Sequence, residues 1–339
     1  MMKVAVVRAL QLGDLLCAVP ALRALRGAYP DAHIAFVGLP WAREFVARFF
    51  RYLDAFIEFP GFPGLPEREC AATALPDFFA GMRAQRFDLA IQLHGSGQLM
   101  NPLTMLMGAA RNAGFYAAGH YCPDPDRFVE WRAEEHEVLR WLRLLERMGV
   151  TAKGTQLEFP LAEQDLREFQ LLRLADLPYA VVHPGSQLPS RRWPLERFAE
   201  VADALAAEGL RVVLTGSRSE AELTARLRAA MREPAIDLAG RTSLGALAAV
   251  IGRARLLVSN DTGVSHIAAA MRTPSVIIAC GSDPKRWAPL NRELHRVLSY
   301  EVDCRPCAHR ECPIGHPCAL GVTVDEVLAE AWRLARCAA

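Results

Sequence analysis

Ser259-Asn260-Asp261-Thr262-Gly263-Val264-Ser265-His266-Ile267-Ala268-Ala269-Ala270 is the stretch that decides how this chain folds. Ahead of it, Leu256, Leu257 and Val258 form a short apolar run of strand type. Behind it, Ile267 to Met271 is the apolar face of a helix that Pro274 stops. A carboxylate, two hydroxyls, a glycine and an imidazole fall at the turn between them. In an open α/β sheet such a turn lies at the carboxyl end of a strand, where ligands bind. The first turn of a helix has free N–H groups and a positive dipole end, which suit a phosphate, and Gly263 lets the backbone approach an anion closely. Capping the helix would need only Asp261 or Thr262. It leaves the rest of the cluster unexplained, so the turn is read as a ligand site.

The same alternation of strand and helix runs outward in both directions. Downstream, 275–279 is a strand. Upstream, strands at 179–182 and 211–214 alternate with helices at 195–208, 220–231 and 244–252. The first half repeats the pattern, with strands at 3–7, 32–37, 54–59 and 89–93 and helices at 15–27, 41–50, 78–85 and 134–148; a loop rich in proline and glycine covers 60–76. Strands alternating with helices imply parallel sheets. Two such sets in 339 residues predict two doubly wound domains joined around 160–178, with a helix at 324–336 closing the chain.

Composition narrows the class. The chain is 52% hydrophobic and 23% charged, which is a folding rather than a disordered balance. A formal net charge of +1 gives no bulk attraction to nucleic acid, so any basic site must be local. Met1-Met2-Lys3 runs directly into the strand Val4-Ala5-Val6-Val7 without the apolar core of a signal peptide, and no later stretch is of membrane-spanning type. The expected location is the cytoplasm. Contact with the inner membrane would need only a surface patch.

Several other turns carry candidate chemistry. Gly13-Asp14 follows the first strand, where Asp14 is either a helix N-cap or a general base. His183-Pro184-Gly185-Ser186 ends another strand and is followed by Arg191, Arg192 and Trp193. Ser186 and the arginines suit phosphate oxygens, or else form a solvated basic loop. Gly216-Ser217 with Glu220 and Glu222 reads as a turn and a first helical turn. Asp237 to Leu244, with Gly240 and Thr242, is a strand end and helix start that could touch a nucleotide. Lys285 and Arg286 should lie beside the Asp261 turn. Cys304, Cys307, Cys312 and Cys318 crowd one loop with His309 and His316. Four thiolates would suit tetrahedral structural zinc; reduced or partly oxidised structural thiols are the favoured alternative, and the loop is expected to serve structure, not catalysis.

Together these residues make the chain resemble glycosyltransferase family 9, the ADP-heptose lipopolysaccharide heptosyltransferases and their relatives. The resemblance rests on Leu12-Gly13-Asp14-Leu15-Leu16 through Pro20-Ala21-Leu22, on His183 to Ser186, Trp193-Pro194 and Asp237 to Leu244, and most specifically on Asn260-Asp261-Thr262-Gly263 followed by His266. It implies a GT-B fold: two Rossmann-like domains facing across a cleft, an acceptor-binding domain at 1–165 and a nucleotide-sugar domain at 175–322, with 323–339 returning to the first. It implies inverting transfer without a required metal, from ADP-heptose to a lipid-linked or core-oligosaccharide acceptor. By the resemblance Asp14 matches the proposed general base, Thr262, Gly263 and His266 match donor-phosphate contacts, and Asp261 matches a donor-sugar contact. Arg191 stands about where the family has a phosphate-binding lysine, and Leu10 and Gln11 stand where it has small hydroxyl side chains. The alternatives are a GT-B nucleotide-sugar epimerase and a nucleotide-sugar-binding protein without turnover. Dinucleotide oxidoreduction is disfavoured because no G-x-G-x-x-G follows the first strand.

Overall fold

Val4 to Val7, the first strand, is completely shielded from solvent. A strand so covered must have helices on both faces of its sheet, as parallel sheets do. The computed structural model describes residues 1–174 and 178–337. The expected domain start at 175 and the last two residues of the closing segment, 338–339, lie outside them. The chain divides into two units, Met1–Gln156 and Leu157–Ala339.

The first unit runs β1 (Lys3–Val7), α1 (Leu12–Ala28), β2 (His33–Gly38), α2 (Ala42–Arg48), β3 (Ala55–Glu58), α3 (Leu75–Gln85), β4 (Leu89–Gln92), α4 (Met100–Leu106), β5 (Arg111–Tyr116), β6 (Phe128–Glu130) and α5 (Glu137–Arg147). Its six strands are all parallel, in the order β3-β2-β1-β4-β5-β6. The second unit opens with α6 (Glu163–Leu171), β7 (Tyr179–His183), α7 (Leu195–Ala207), β8 (Arg211–Leu214), α8 (Ala221–Ala230) and β9 (Ala235–Asp237). It continues through α9 (Leu244–Arg253), β10 (Leu256–Asn260), α10 (Gly263–Met271), β11 (Ser275–Ile278), α11 (Pro284–Trp287), β12 (His295–Leu298), α12 (Pro317–Leu320) and α13 (Val324–Cys337). Its sheet order, β12-β11-β10-β7-β8-β9, is the same topology repeated. Renumbered from its own first strand, each sheet reads 3-2-1-4-5-6, the doubly wound dinucleotide-fold order. No helix among the described residues is long and apolar enough to cross a membrane.

The sequence reading needs correcting at the join and at the end. The helix α6 packs on α9, with Arg253 stacked over Phe169 at 4.9 Å. Residues 163–165 therefore belong with the second unit, and the expected first domain of 1–165 is too long. The closing helix was expected to return to the first domain. Its apolar stripe, Val327, Ala331 and Leu334, instead enters the core of the second unit beside Trp193, Phe198, Val276 and Ile278. The spacing of that stripe gives α13 one apolar face, and the exposed side of β10, β11 and β12 next to α7 is what it covers.

His295, at the start of the edge strand β12, is 2% exposed, and its Nδ1 lies 2.8 Å from the Ser275 hydroxyl. Burial, with a smaller push from His266, lowers its pKa to about 4. The unfolded chain therefore binds this proton first as pH falls, so stability is intact above about pH 6.5 and declines towards pH 4. His295→Gln should flatten the difference in melting temperature between pH 7 and pH 4.5. An unchanged slope in thermal melts would show that His295 does not carry it.

Candidate functional site

Strand order fixes where ligands can sit. In each sheet the connections leave in opposite directions at the central pair, β1/β4 in one unit and β10/β7 in the other. The crevice outside the carboxyl ends of such a pair is the usual binding place in open α/β sheets. Of the residues singled out from sequence, Asp14 lies at the first point and Ser186, Arg191, Asp261, Thr262, Gly263 and His266 at the second.

At the first, Asp14 follows β1. It is not the N-cap: Gln11 is, and Asp14 sits at the third helical position, where its Oδ2 accepts from the Gln11 backbone N–H at 3.2 Å. Its carboxylate is about one-fifth exposed, and Oδ1 lies 3.7 Å from the Arg8 guanidinium. Arg8 is completely buried at the end of β1. It donates to the Asp14 carbonyl at 2.9 Å, to the Leu93 carbonyl beyond β4 and to Glu137 at 3.1 Å, and stacks over Trp141 at 4.3 Å. Glu137 in turn holds Arg140, which stacks over Trp131 at 3.8 Å. A buried charge needs this degree of pairing. His94, just past β4, completes the place. The Ala9 N–H donates to its Nδ1 at 3.3 Å, so Nε2 carries the proton and faces Glu67 at 3.6 Å. Burial alone would raise the Glu67 carboxyl, but His94 holds it below the usual range.

At the second point, Asp261, Thr262, Gly263 and His266 follow β10, while Ser186 and Arg191 follow β7. Thr262 is the N-cap of α10 by backbone conformation, yet its side chain makes no capping bond. That removes the plain capping reading for this hydroxyl. Ser265 donates to the Thr262 carbonyl at 2.7 Å and ties down the turn. His266 is buried and meets the Trp287 ring edge-on, centroids 6.3 Å apart. Asn260, completely buried, joins the two strands: its Oδ1 accepts from the Trp193 N–H at 2.9 Å and its Nδ2 donates to the Pro184 carbonyl at 2.7 Å. The paired arginines divide their work. Arg192 turns onto the Ser186 carbonyl at 2.7 and 2.9 Å, a structural role. Arg191 donates one bond, to the Cys307 carbonyl at 3.0 Å, while its Nε has no acceptor.

Gly240 and Thr242 share this carboxyl edge but follow β9, three strands from β10 and so about 15 Å along the sheet. Gly240 has φ +67°, a left-handed conformation that glycine adopts without strain. Glu220 closes a capping box on Ser217, as its structural reading required. The loop with Lys285 follows β11, next to β10, as expected. The four cysteines lie between β12 and α13. Cys304, Cys307, Cys312 and Cys318 are all free thiols, from exposed to buried. Among the described residues no three His, Cys, Asp or Glu side chains form a group that could hold a metal. The loop is secured through its backbone carbonyls and His316 instead.

Sequence reasoning missed Arg8, Glu137, His94 and the bridging role of Asn260. Arg8 directly follows the apolar run 4–7 in sequence, and its partners come from the neighbouring strand and α5.

The family model for glycosyltransferase family 9 (heptosyltransferase) matches residues 77–317. Lipopolysaccharide heptosyltransferase 2 of Escherichia coli K12 is 27% identical, over 97% of both chains. Lipooligosaccharide heptosyltransferase 2 of Haemophilus ducreyi is 25% identical, over 99% of this chain and 100% of that one. Among solved structures, a family 9 glycosyl transferase from Veillonella parvula superposes with a TM-score of 0.81 at 24% identity, covering 99% and 97% of the two chains. The E. coli ADP-heptose heptosyltransferase II gives 0.76 at 22%, covering 99% of each. These matches bear out the GT-B fold.

Replacing Arg8 with Met would remove the donor to the Leu93 carbonyl and the guanidinium that pairs with Glu137 in the interior. The expected loss is about 3 kcal/mol, the scale for a broken buried pair. Denaturant unfolding of the purified variant measures it, and a loss below about 1 kcal/mol would mean that the other partners of Glu137 suffice.

Proposed function

The chain belongs to glycosyltransferase family 9, and from that membership we propose that it moves a heptose from ADP-heptose onto the core of a lipopolysaccharide, with inversion at the anomeric carbon. The observation that carries this reading is the assembly at the β7/β10 switch point. A helix start without a side-chain cap, Arg191 with a single side-chain hydrogen bond and the carboxylate of Asp261 follow adjacent strands there. The α10 N-terminus and Arg191 would receive the diphosphate. Gly240 and Thr242, further along the edge, would meet the adenosine end, since a nucleotide diphosphate is long enough to reach them. Asp261 would hold hydroxyls of the sugar.

Inverting transfer needs a base at the acceptor oxygen and stabilisation of the departing group. In this reading Asp14 accepts the proton of the acceptor hydroxyl. The oxygen attacks the anomeric carbon, and the bond to ADP breaks with its electron pair leaving on the phosphate. The charge gathering there meets the dipole of α10 and the Arg191 guanidinium, which need not reorganise as it develops. An acceptor built on a membrane lipid would bring the protein to the cytoplasmic face of the inner membrane.

Asp14→Asn keeps the shape of the side chain and removes its basicity. Turnover with ADP-heptose should fall by about 10²–10⁴-fold, while calorimetry finds ADP affinity unchanged. Near-normal kcat at saturating acceptor would reduce Asp14 to its capping-box role.

Thr262→Val and His266→Ala test the donor end. Each should weaken ADP-heptose binding by about 1–3 kcal/mol, the scale of hydrogen bonds to charged groups. Unaltered affinity in both variants would move the diphosphate away from the start of α10.

A further inference from the structure

The loop that carries the four cysteines does more than connect β12 to α13. It crosses the carboxyl edge of the second sheet and grips two of the loops there. On the β7 side it holds Ser190, which is 2% exposed, by three bonds. The Ser190 N–H donates to the Arg310 carbonyl at 3.0 Å and its hydroxyl to the His309 carbonyl at 2.6 Å. The Ser190 carbonyl lies 2.7 Å from His316 Nε2, which must therefore donate. The next residue is Arg191, whose guanidinium is fixed by the Cys307 carbonyl. On the β11 side the Cys307 N–H donates to the Gly281 carbonyl at 2.7 Å, and Arg305 donates to the Ala279 carbonyl at 3.0 Å. A side chain on Gly281 would bring its Cβ to 2.7 Å from that of Cys307, so the strap lies directly against this backbone.

We propose that residues 304–318 are a positioning strap for Arg191, and that His316 is a positioning residue of the transfer reaction, acting on the donor diphosphate through Ser190 and Arg191. This rests on the donor site proposed above. Arg191 has a long, flexible side chain that loses rotamer freedom when it holds a phosphate. Its turn is a single 3-10 turn, Pro189–Arg191, too short to hold a fixed direction by itself. The strap supplies that direction: three bonds fix the backbone before Arg191 and one fixes the guanidinium. Its side chain makes one hydrogen bond, from one Nη to the Cys307 carbonyl, so the guanidinium keeps donor capacity for a phosphate oxygen. The cysteine segment thus acts on the reaction through carbonyl groups and one imidazole.

The test is a double-mutant cycle read by ADP binding in calorimetry on the full chain, with melting temperatures taken alongside. Arg191→Ala should weaken ADP about tenfold or more, as loss of a charged hydrogen bond does. His316→Ala should weaken it by about tenfold, His316→Gln should recover most of that through its amide N–H, and the double variant His316→Ala/Arg191→Ala should bind no more weakly than Arg191→Ala alone. Ser190→Ala, which drops only the hydroxyl, gives the same comparison in a milder background should His316→Ala fail to fold. Full additivity of the two losses, or normal ADP affinity in both the His316 and Ser190 variants, would overturn the strap's role while leaving the donor site standing. Normal affinity in Arg191→Ala would overturn the donor-site reading itself.

Discussion

A buried primary amide can be tolerated only when its donors and acceptor all find partners, and Asn260 meets that condition in the one place where the second sheet most needs a tie. Its strand, β10, and its neighbour β7 send their chains off in different directions at their carboxyl ends. Backbone hydrogen bonding between the strands stops there. Asn260 continues it with a side chain, accepting from Trp193 and donating to Pro184. The loop bearing Ser186 and Arg191 is thereby set against the turn bearing Asp261 to His266. Trp193, so anchored, donates its indole N–H to the Val322 carbonyl at 3.0 Å and fixes the approach to α13. The first unit solves the same problem with a charge. Arg8 reaches from β1 to the Leu93 carbonyl beyond β4, and Glu137 with Trp141 makes the buried guanidinium affordable. Each Rossmann-like unit is closed at its switch point by one buried polar side chain, and each candidate site is built on that closure.

This arrangement explains why a nearly neutral protein can be read as handling a diphosphate that gains charge as it leaves. The formal charge is +1, so the field that matters is local. A helix start and one or two forked cations suffice when they are held in place beforehand. Of the paired arginines, one stabilises the turn and the other is left with a donor to offer. The residues of the turn do not distinguish them; the family resemblance singles out Arg191.

The alternation of apolar runs and helical stretches revealed the class, the two units and the edge of the sheet on which chemistry would lie. Strands with continuous Val, Ile and Leu were plain. Hidden strands were those whose pattern is diluted: β5 begins Arg111-Asn112 and contains Gly114, β6 has three residues, and β12 opens with His295-Arg296 at a sheet edge. The helix α4 was concealed by Pro102 near its start, where proline is tolerated. Site residues whose function resides in their own side chain, such as Asp14 and His266, were visible from their turns. Those that act by holding another residue were not: Arg8 and His316 are defined by carbonyls more than eighty residues away, and no local pattern records such a partner. The apolar stripe of α13 was equally plain, but the stripe does not say which sheet it covers.

The bonds of the cysteine strap to Ser190 and Arg191 join residues 116 to 126 positions apart. Synthesis on a ribosome is directional, so the Arg191 turn emerges long before the carbonyls that orient it. The first unit needs nothing beyond Gln156 for its own sheet and can take shape as it appears. The second has its nucleotide edge exposed and only partly ordered until the strap and α13 have left the exit tunnel. A chain released after β12 but short of residue 309 would carry the six second-unit strands and the turns that follow them, yet leave Ser190 without its three bonds. Such a chain would also lack the α13 stripe of Val327, Ala331 and Leu334, so the second unit would lose part of its core together with the bonds that orient Arg191.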